Sequence, residues 1–131
     1  MFFNIDLTNG LAIYDQIVRQ IKFAVAGDAI QPGELVPSVR ELARQLAVNP
    51  NTVARAYREL QQQGILAIVR GTGLEVTATA PKRCQQDRVK LIRLRLRSVL
   101  CEARQSRLDP SEIRALTDEE LAKLDDAGVT K

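Results

Sequence analysis

The spacing of apolar positions changes along this chain, and each change marks an element. From Ile13 to Ala26 the residues Tyr14, Ile17, Val18, Ile21 and Val25 recur every three or four positions, which predicts a helix with one buried stripe. Gly27 and Asp28 end it. The connector IQPGELVPS carries two prolines and a glycine, and its Ser38 stands three residues before Glu41, the spacing of a capping box. Val39, Leu42, Ala43 and Leu46 then make the stripe of a short second helix. A third begins at Asn49-Pro50 and turns Val53, Ala56, Tyr57 and Leu60 inward as far as the QQQG stop at Gly64. After Gly64 the pattern becomes extended. ILAIV and LEVTATA, separated by RGTG, read as a β-hairpin with a glycine-bracketed turn. Pro81 closes this module. Helical spacing returns from about Gln85 to Arg107, where Val89, Ile92, Leu96, Val99 and Ala103 keep an a/d rhythm. Asp109 as cap and Pro110 in the first helical position restart a last helix, with Ile113, Leu116, Leu121 and Leu124 on its apolar side. NIDL, Asn4 to Leu7, is a short extended candidate.

Three helices followed by a hairpin, with only Ala47 to Asn49 between the second and third helices, is the order of a winged helix-turn-helix. The predicted fold is therefore mainly α with a small β-hairpin: a winged helix-turn-helix DNA-binding domain at residues 1–80 and a short two-helix dimerisation tail at residues 81–131.

Composition narrows the chemistry. There is no histidine, and Cys84 and Cys101 lie far apart without a CxxC pair, so neither a metal site nor Cys/His catalysis is expected, and two reduced, partly buried thiols are. No GxxxxGK[ST] or GxGxxG loop is present, no convincing pair of carboxylates stands out, and no cofactor is expected. An enzyme is the weakest reading. No stretch approaches the roughly 20 apolar residues of a membrane span, and the opening MFFNIDLTNG lacks the features of a signal peptide, so the expected compartment is the cytoplasm. The net charge of +3 does not by itself argue for a polyanion, because residues 1–80 hold seven Lys/Arg against seven Asp/Glu, while residues 81–131 hold twelve against nine. The placement of individual arginines has to carry that inference.

At about 100° per residue, Asn51, Arg55, Arg58 and Gln62 fall on the side of the third helix opposite its apolar stripe. Amide and guanidinium groups can pair bidentately with adenine and guanine edges, as a major-groove helix requires. A solvated polar face explains the same pattern for the helix taken alone; the helix-turn-helix frame tips the reading toward DNA. Asn49 and Pro50 are punctuation, a side-chain cap and a residue with φ already set. In the RGTG turn, Arg70 and the backbone of Gly71 to Gly73 suit a phosphate or the minor groove.

The run from Tyr14 to about Val76, which includes QPGELVPSVRELARQLAVNPNTVARAYRELQQQGIL and RGTGLEV, resembles the DNA-binding domain of the GntR family of bacterial transcription regulators. The form VNPNTVxRAYxEL, joined to a short two-helix tail, is similar to the YtrA-type subfamily. The resemblance implies a homodimer that binds an inverted-repeat DNA operator and usually represses. It also implies that Arg40, Asn49, Asn51, Thr52, Arg55, Arg70, Gly71, Thr72 and Gly73 match DNA-contacting positions. Ala12-Ile13 replaces the usual Pro-Leu pair and Asp28-Ala29-Ile30 a Gly-Glu-Leu turn, both away from the DNA face.

The tail is too short for a large ligand pocket, and two helices with one-sided stripes cannot bury those stripes alone. A partner copy is expected along Val89, Ile92, Leu96, Val99 and Leu100, with Leu91 and Leu94 spreading apolar character around the helix. Lys82, Arg83, Arg88, Lys90, Arg93, Arg95 and Arg97 make the long helix basic, while Asp118, Glu119, Glu120, Asp125 and Asp126 make the chain's end acidic. A solvated face, phosphate contacts beside the operator and a clasp between helices all remain open for these runs. The competing function is a winged-helix architectural or protein-interaction module without sequence specificity. Neither an effector nor the operator sequence can be named from the residues.

Overall fold

A computed structural model of the chain describes residues 5–127. Within them lie α1 (Ile13–Ala26), α2 (Val39–Leu46), α3 (Pro50–Gln62), β1 (Leu66–Val69), β2 (Gly73–Val76), α4 (Ala80–Gln105) and α5 (Pro110–Asp126). The chain divides into two compact units, Met1–Lys90 and Leu91–Lys131.

In the first unit α1, α2 and α3 enclose the core. Ile17, Ile21 and Val25 of α1, Leu42 of α2, and Val53, Ala56 and Leu60 of α3 are shut off from solvent. Each large aliphatic side chain so buried contributes roughly 1.5–3 kcal/mol. The helix-turn-helix bend is made by Ala47, whose left-handed φ of 55° lets the Val48 N–H reach the Ala43 carbonyl at 3.0 Å. Ser38 caps α2 by accepting from the Glu41 N–H at 3.1 Å, while the Glu41 carboxylate accepts from Gln45, so only the Ser38 half of the expected capping box is formed. Tyr57 ties α3 to the segment before α2, its phenol donating to the Pro37 carbonyl at 2.6 Å. Burial, and behind it the charge of Glu41, raises this phenol above the usual tyrosine range, so it stays a donor.

β1 and β2 pair antiparallel with Leu66 opposite Val76 and Val69 opposite Gly73. Leu66 and Val76 face the core. The connector read from its prolines does more than join helices. It runs beside β2, with a bridge between Leu35 and Glu75 and bonds from Gly33 N to Val76 O (2.8 Å) and from Val36 N to Leu74 O (3.0 Å).

Several expectations need correction. The segment NIDL is not a strand: Asn4 lies outside the described residues, Ile5 and Asp6 are irregular, and Leu7 enters a turn. A buried glutamine holds this segment in place, since Gln16 donates to the carbonyls of Asp6 (2.7 Å) and Leu11 (3.0 Å) and accepts from the Asp6 N–H (2.8 Å). Pro81 does not close the module. It sits in the first turn of α4, where its missing N–H costs nothing, and the first compact unit runs on to Lys90. Ala80 and Cys84 are core residues, and Lys22 of α1, buried to 7% side-chain exposure, meets Asp87 of α4 at 3.0 Å. Arg83 joins Asp87 at 3.2 Å and donates to the Gln63 carbonyl at the end of α3 at 3.3 Å. The two thiols are also not alike: Cys84 is fully buried, which pushes it up to about 11, and Cys101 is exposed.

In the second unit, the rest of α4 and α5 are joined by a turn at Arg107 (φ 73°). Asp109 caps α5 in a complete capping box with Glu112. Among the described residues this unit has no fully buried apolar side chain: Val99 is 62% exposed, Leu121 56%, and Leu96 51%. A groove between α4 and α5 is lined by Leu96, Leu100, Pro110 and Ile113 together with Arg104 and Asp118. No helix among the described residues is long and apolar enough to cross a membrane.

Candidate nucleic-acid interface

The start of α3 sets the site. Asn49 holds an extended φ/ψ, its side-chain oxygen accepts from the Asn51 N–H at 2.8 Å, and Pro50 occupies the first helical position. Asn49 is therefore the cap. Asn51 is exposed and free of capping duty. One turn on, Arg55 and then Arg58 are exposed on the same side, while Val53, Ala56 and Tyr57 point into the core. Thr52 is half-buried, its N–H bonded to the Asn49 carbonyl at 3.0 Å.

Asn49, Asn51, Thr52 and Arg55 line one shallow concavity, together with Ile13 and Tyr14 of α1. Arg40, exposed on α2, and Arg58 lie outside it. Among the described residues, Arg40, Arg55, Arg58 and Arg70 form no salt bridge, so no carboxylate competes for their donors. Arg55 instead stacks on an aromatic ring, its guanidinium carbon 3.7 Å from the centre of Tyr14. Tyr14 was expected within the buried stripe of α1; it is half-buried, with its ring under a residue of the recognition face. Nothing in the spacing marked it for that role.

The hairpin tip is the second feature. Thr72 N–H closes the turn onto the Val69 carbonyl at 2.9 Å, and Gly71 and Gly73 adopt φ of +76° and +142°, conformations a side chain would strain. Arg70, Gly71, Thr72 and Gly73 are all exposed. The tip thus offers an arginine and open backbone, which is what a phosphate or a groove wall needs. No cluster of His, Cys, Asp and Glu able to hold a metal occurs among the described residues.

The arrangement has close counterparts. Residues 13–76 match the family described as bacterial regulatory proteins, gntR family. The HTH-type transcriptional repressor YtrA of Bacillus subtilis is 35% identical over 99 residues, which are 76% of this chain and 76% of that protein. A solved GntR family transcriptional regulator from Listeria monocytogenes superposes with a TM-score of 0.67 at 32% identity, covering 86% of this chain and 98% of that one. The structure of AraR(DBD) in complex with operator ORE1 superposes with a TM-score of 0.50 at 27% identity, covering 59% of this chain and 94% of that one. With three core helices, a β-hairpin wing and an exposed polar face at the start of α3, this chain belongs to the gntR family of bacterial regulatory proteins and is a winged helix-turn-helix DNA-binding regulator.

Proposed function

We propose that the protein is a transcriptional repressor that works in the cytoplasm as a homodimer on an inverted-repeat operator. The outward face of α3 is the observation that carries this reading: Asn51, Arg55 and Arg58 are exposed together and form no salt bridge among the described residues. In the major groove these side chains have the donors and acceptors to read base edges, with Asn51 suited to adenine and Arg55 to guanine. Asn49 and Thr52 sit at the helix N-terminus, where the helix dipole favours a phosphate oxygen and their side chains have donors to offer it. Arg40 on α2 and the tip residues Arg70, Gly71, Thr72 and Gly73 are assigned to the DNA backbone, or to the minor groove at the wing. Such contacts fix register; the base contacts choose the sequence.

The dimer reading rests on the second unit's missing core. Ile92, Leu96 and Val99 are about half exposed or more and Leu100 is half-buried; with Val89, exposed one turn earlier on α4, they form an apolar stripe that a second copy would cover. A two-fold dimer presents two α3 helices to two half-sites about one helical turn apart, or a multiple of it. Selection of duplexes from a randomised pool by the full chain, followed by footprinting, tests this directly. The expected product is an inverted repeat protected on both half-sites, and insertion of that site between a promoter and a reporter should lower expression when the protein is present. Recovery of a single unrepeated half-site, or no enrichment, would overturn the proposal.

A further inference from the structure

We propose that Tyr14 is a positioning residue of the DNA-binding surface: its ring forms a platform that holds the guanidinium of Arg55 flat, with the in-plane N–H donors turned outward. The inference rests on the reading of α3 as the base-reading helix and adds a residue of α1 to it. The geometry is specific. The Arg55 guanidinium carbon lies 3.7 Å from the centre of the Tyr14 ring, the distance of a stacked pair and well inside the roughly 6 Å limit of a cation–π contact.

An arginine on an exposed helix face ordinarily samples many rotamers, and ordering it on binding costs part of the contact it makes. Among the described residues no salt bridge fixes Arg55. The ring does so without consuming a single N–H, because stacking uses the guanidinium's face and leaves its edge for a bidentate acceptor. A carboxylate in the same place would occupy that edge. Tyr14 is suited to the task since it is itself fixed: it is half-buried at the start of α1, partly packed on the core cluster, and α1 packs on α3. Tyr14 and Arg55 also line the same concavity as Asn49, Asn51 and Thr52, so the platform sits beside the other groups assigned to DNA.

The test is a double-mutant cycle in the full chain, read on a duplex enriched by the wild-type protein from a randomised pool and on versions of that duplex with one base pair changed. Tyr14→Leu should weaken binding to the enriched duplex by about 3- to 30-fold, the range of a cation–π platform. The loss should fall mainly on discrimination at the one base pair whose change no longer matters to Arg55→Ala. In the Arg55→Ala background Tyr14→Leu should have no further effect, and Tyr14→Phe, which keeps the ring, should bind within about twofold of wild type. A purely structural tyrosine predicts the opposite pattern: an equal loss in both backgrounds, equal at every base pair, in step with a lowered melting temperature. That pattern, or a Tyr14→Phe loss as large as that of Tyr14→Leu, would overturn the platform. If Arg55→Ala alone leaves affinity and base preference unchanged, the base-reading assignment of Arg55 fails and the platform falls with it. If Arg55→Ala loses affinity while Tyr14→Leu does not, the platform alone is overturned.

Discussion

Exchange of Asn49 and Asn51 for alanine, one at a time, separates the helix cap from the reading head. The Asn49 oxygen accepts from the Asn51 N–H at 2.8 Å at an exposed helix end, so in its absence water takes over part of the bond. The cost of Asn49→Ala is then that of an ordinary cap, about 1 kcal/mol within a range of roughly 0.5–2. Spread over a first unit that ends at Lys90, this lowers the melting temperature by about 4–8 °C per kcal/mol. Asn49→Asp should retain most of the stability, because a carboxylate also caps and favours the positive end of the helix dipole. Asn51→Ala removes an exposed side chain that caps nothing, so its effect on folding should stay within about 0.5 kcal/mol. Its effect on binding should be large: about 1–3 kcal/mol of discrimination lost at one base position. Calorimetric melting of each variant, alongside fluorescence anisotropy on the enriched duplex and its single-base-pair variants, gives both numbers. If Asn51→Ala unfolds the protein while Asn49→Ala changes only base choice, α3 starts elsewhere and every contact inferred from its register is wrong.

Other consequences follow from the wing and the α4 junction. Arg70→Ala should weaken binding to many sequences alike and flatten the salt dependence by about one unit of slope while base preference survives; a changed preference at one position would make Arg70 a reader of sequence or groove shape. A chain ended after Lys90 should fold and bind as a weak monomer, whereas one ended after Ala80 should melt far lower, because it removes the buried Cys84 and leaves Lys22 without Asp87. Equal melting of the two truncations would contradict the assignment of these turns to the first unit. Burial alone would raise the Asp87 carboxyl, but the hydrogen bonds and charges of Lys22 and Arg83 outweigh it and hold it below its ordinary 3.8. A carboxylate lowered in the folded state contributes stability above its unfolded value and loses it as pH falls through the folded one. Urea unfolding should therefore weaken below about pH 4 and do so less in Asp87→Asn, a variant already weaker near neutrality. An unchanged acid limb in Asp87→Asn would assign that loss to other carboxylates.

The elements that the sequence displays best are those whose apolar spacing and punctuation agree. α1 ends at Ala26 and α3 opens on Asn49-Pro50 as read, because Gly27 is a poor helix former and the Asn–Pro pair supplies a cap and a preset φ. The hairpin was legible for the same reason, with two β-rich runs either side of RGTG. What stayed hidden depends on long-range packing. A lysine and an aspartate 65 residues apart give no local sign that they will meet, so nothing in the spacing marked Lys22 or Asp87, and Pro81 read as a stop. Gln16 likewise looks like a polar interruption until its amide is seen bridging the N-terminal turns. At the candidate site, the exposed face of α3 followed from periodicity alone. Tyr14 did not, since one aromatic on an apolar stripe gives no hint that an arginine from another helix covers it.

The most direct test of sequence reading by α3 is the affinity of the full chain, at one salt concentration, for the enriched duplex and for a duplex of the same length and composition in shuffled order. Base contacts by Asn51 and Arg55 predict a preference of at least about a thousandfold for the enriched duplex. Equal affinity for the two would contradict them, and would leave a winged helix that holds DNA by its phosphates alone.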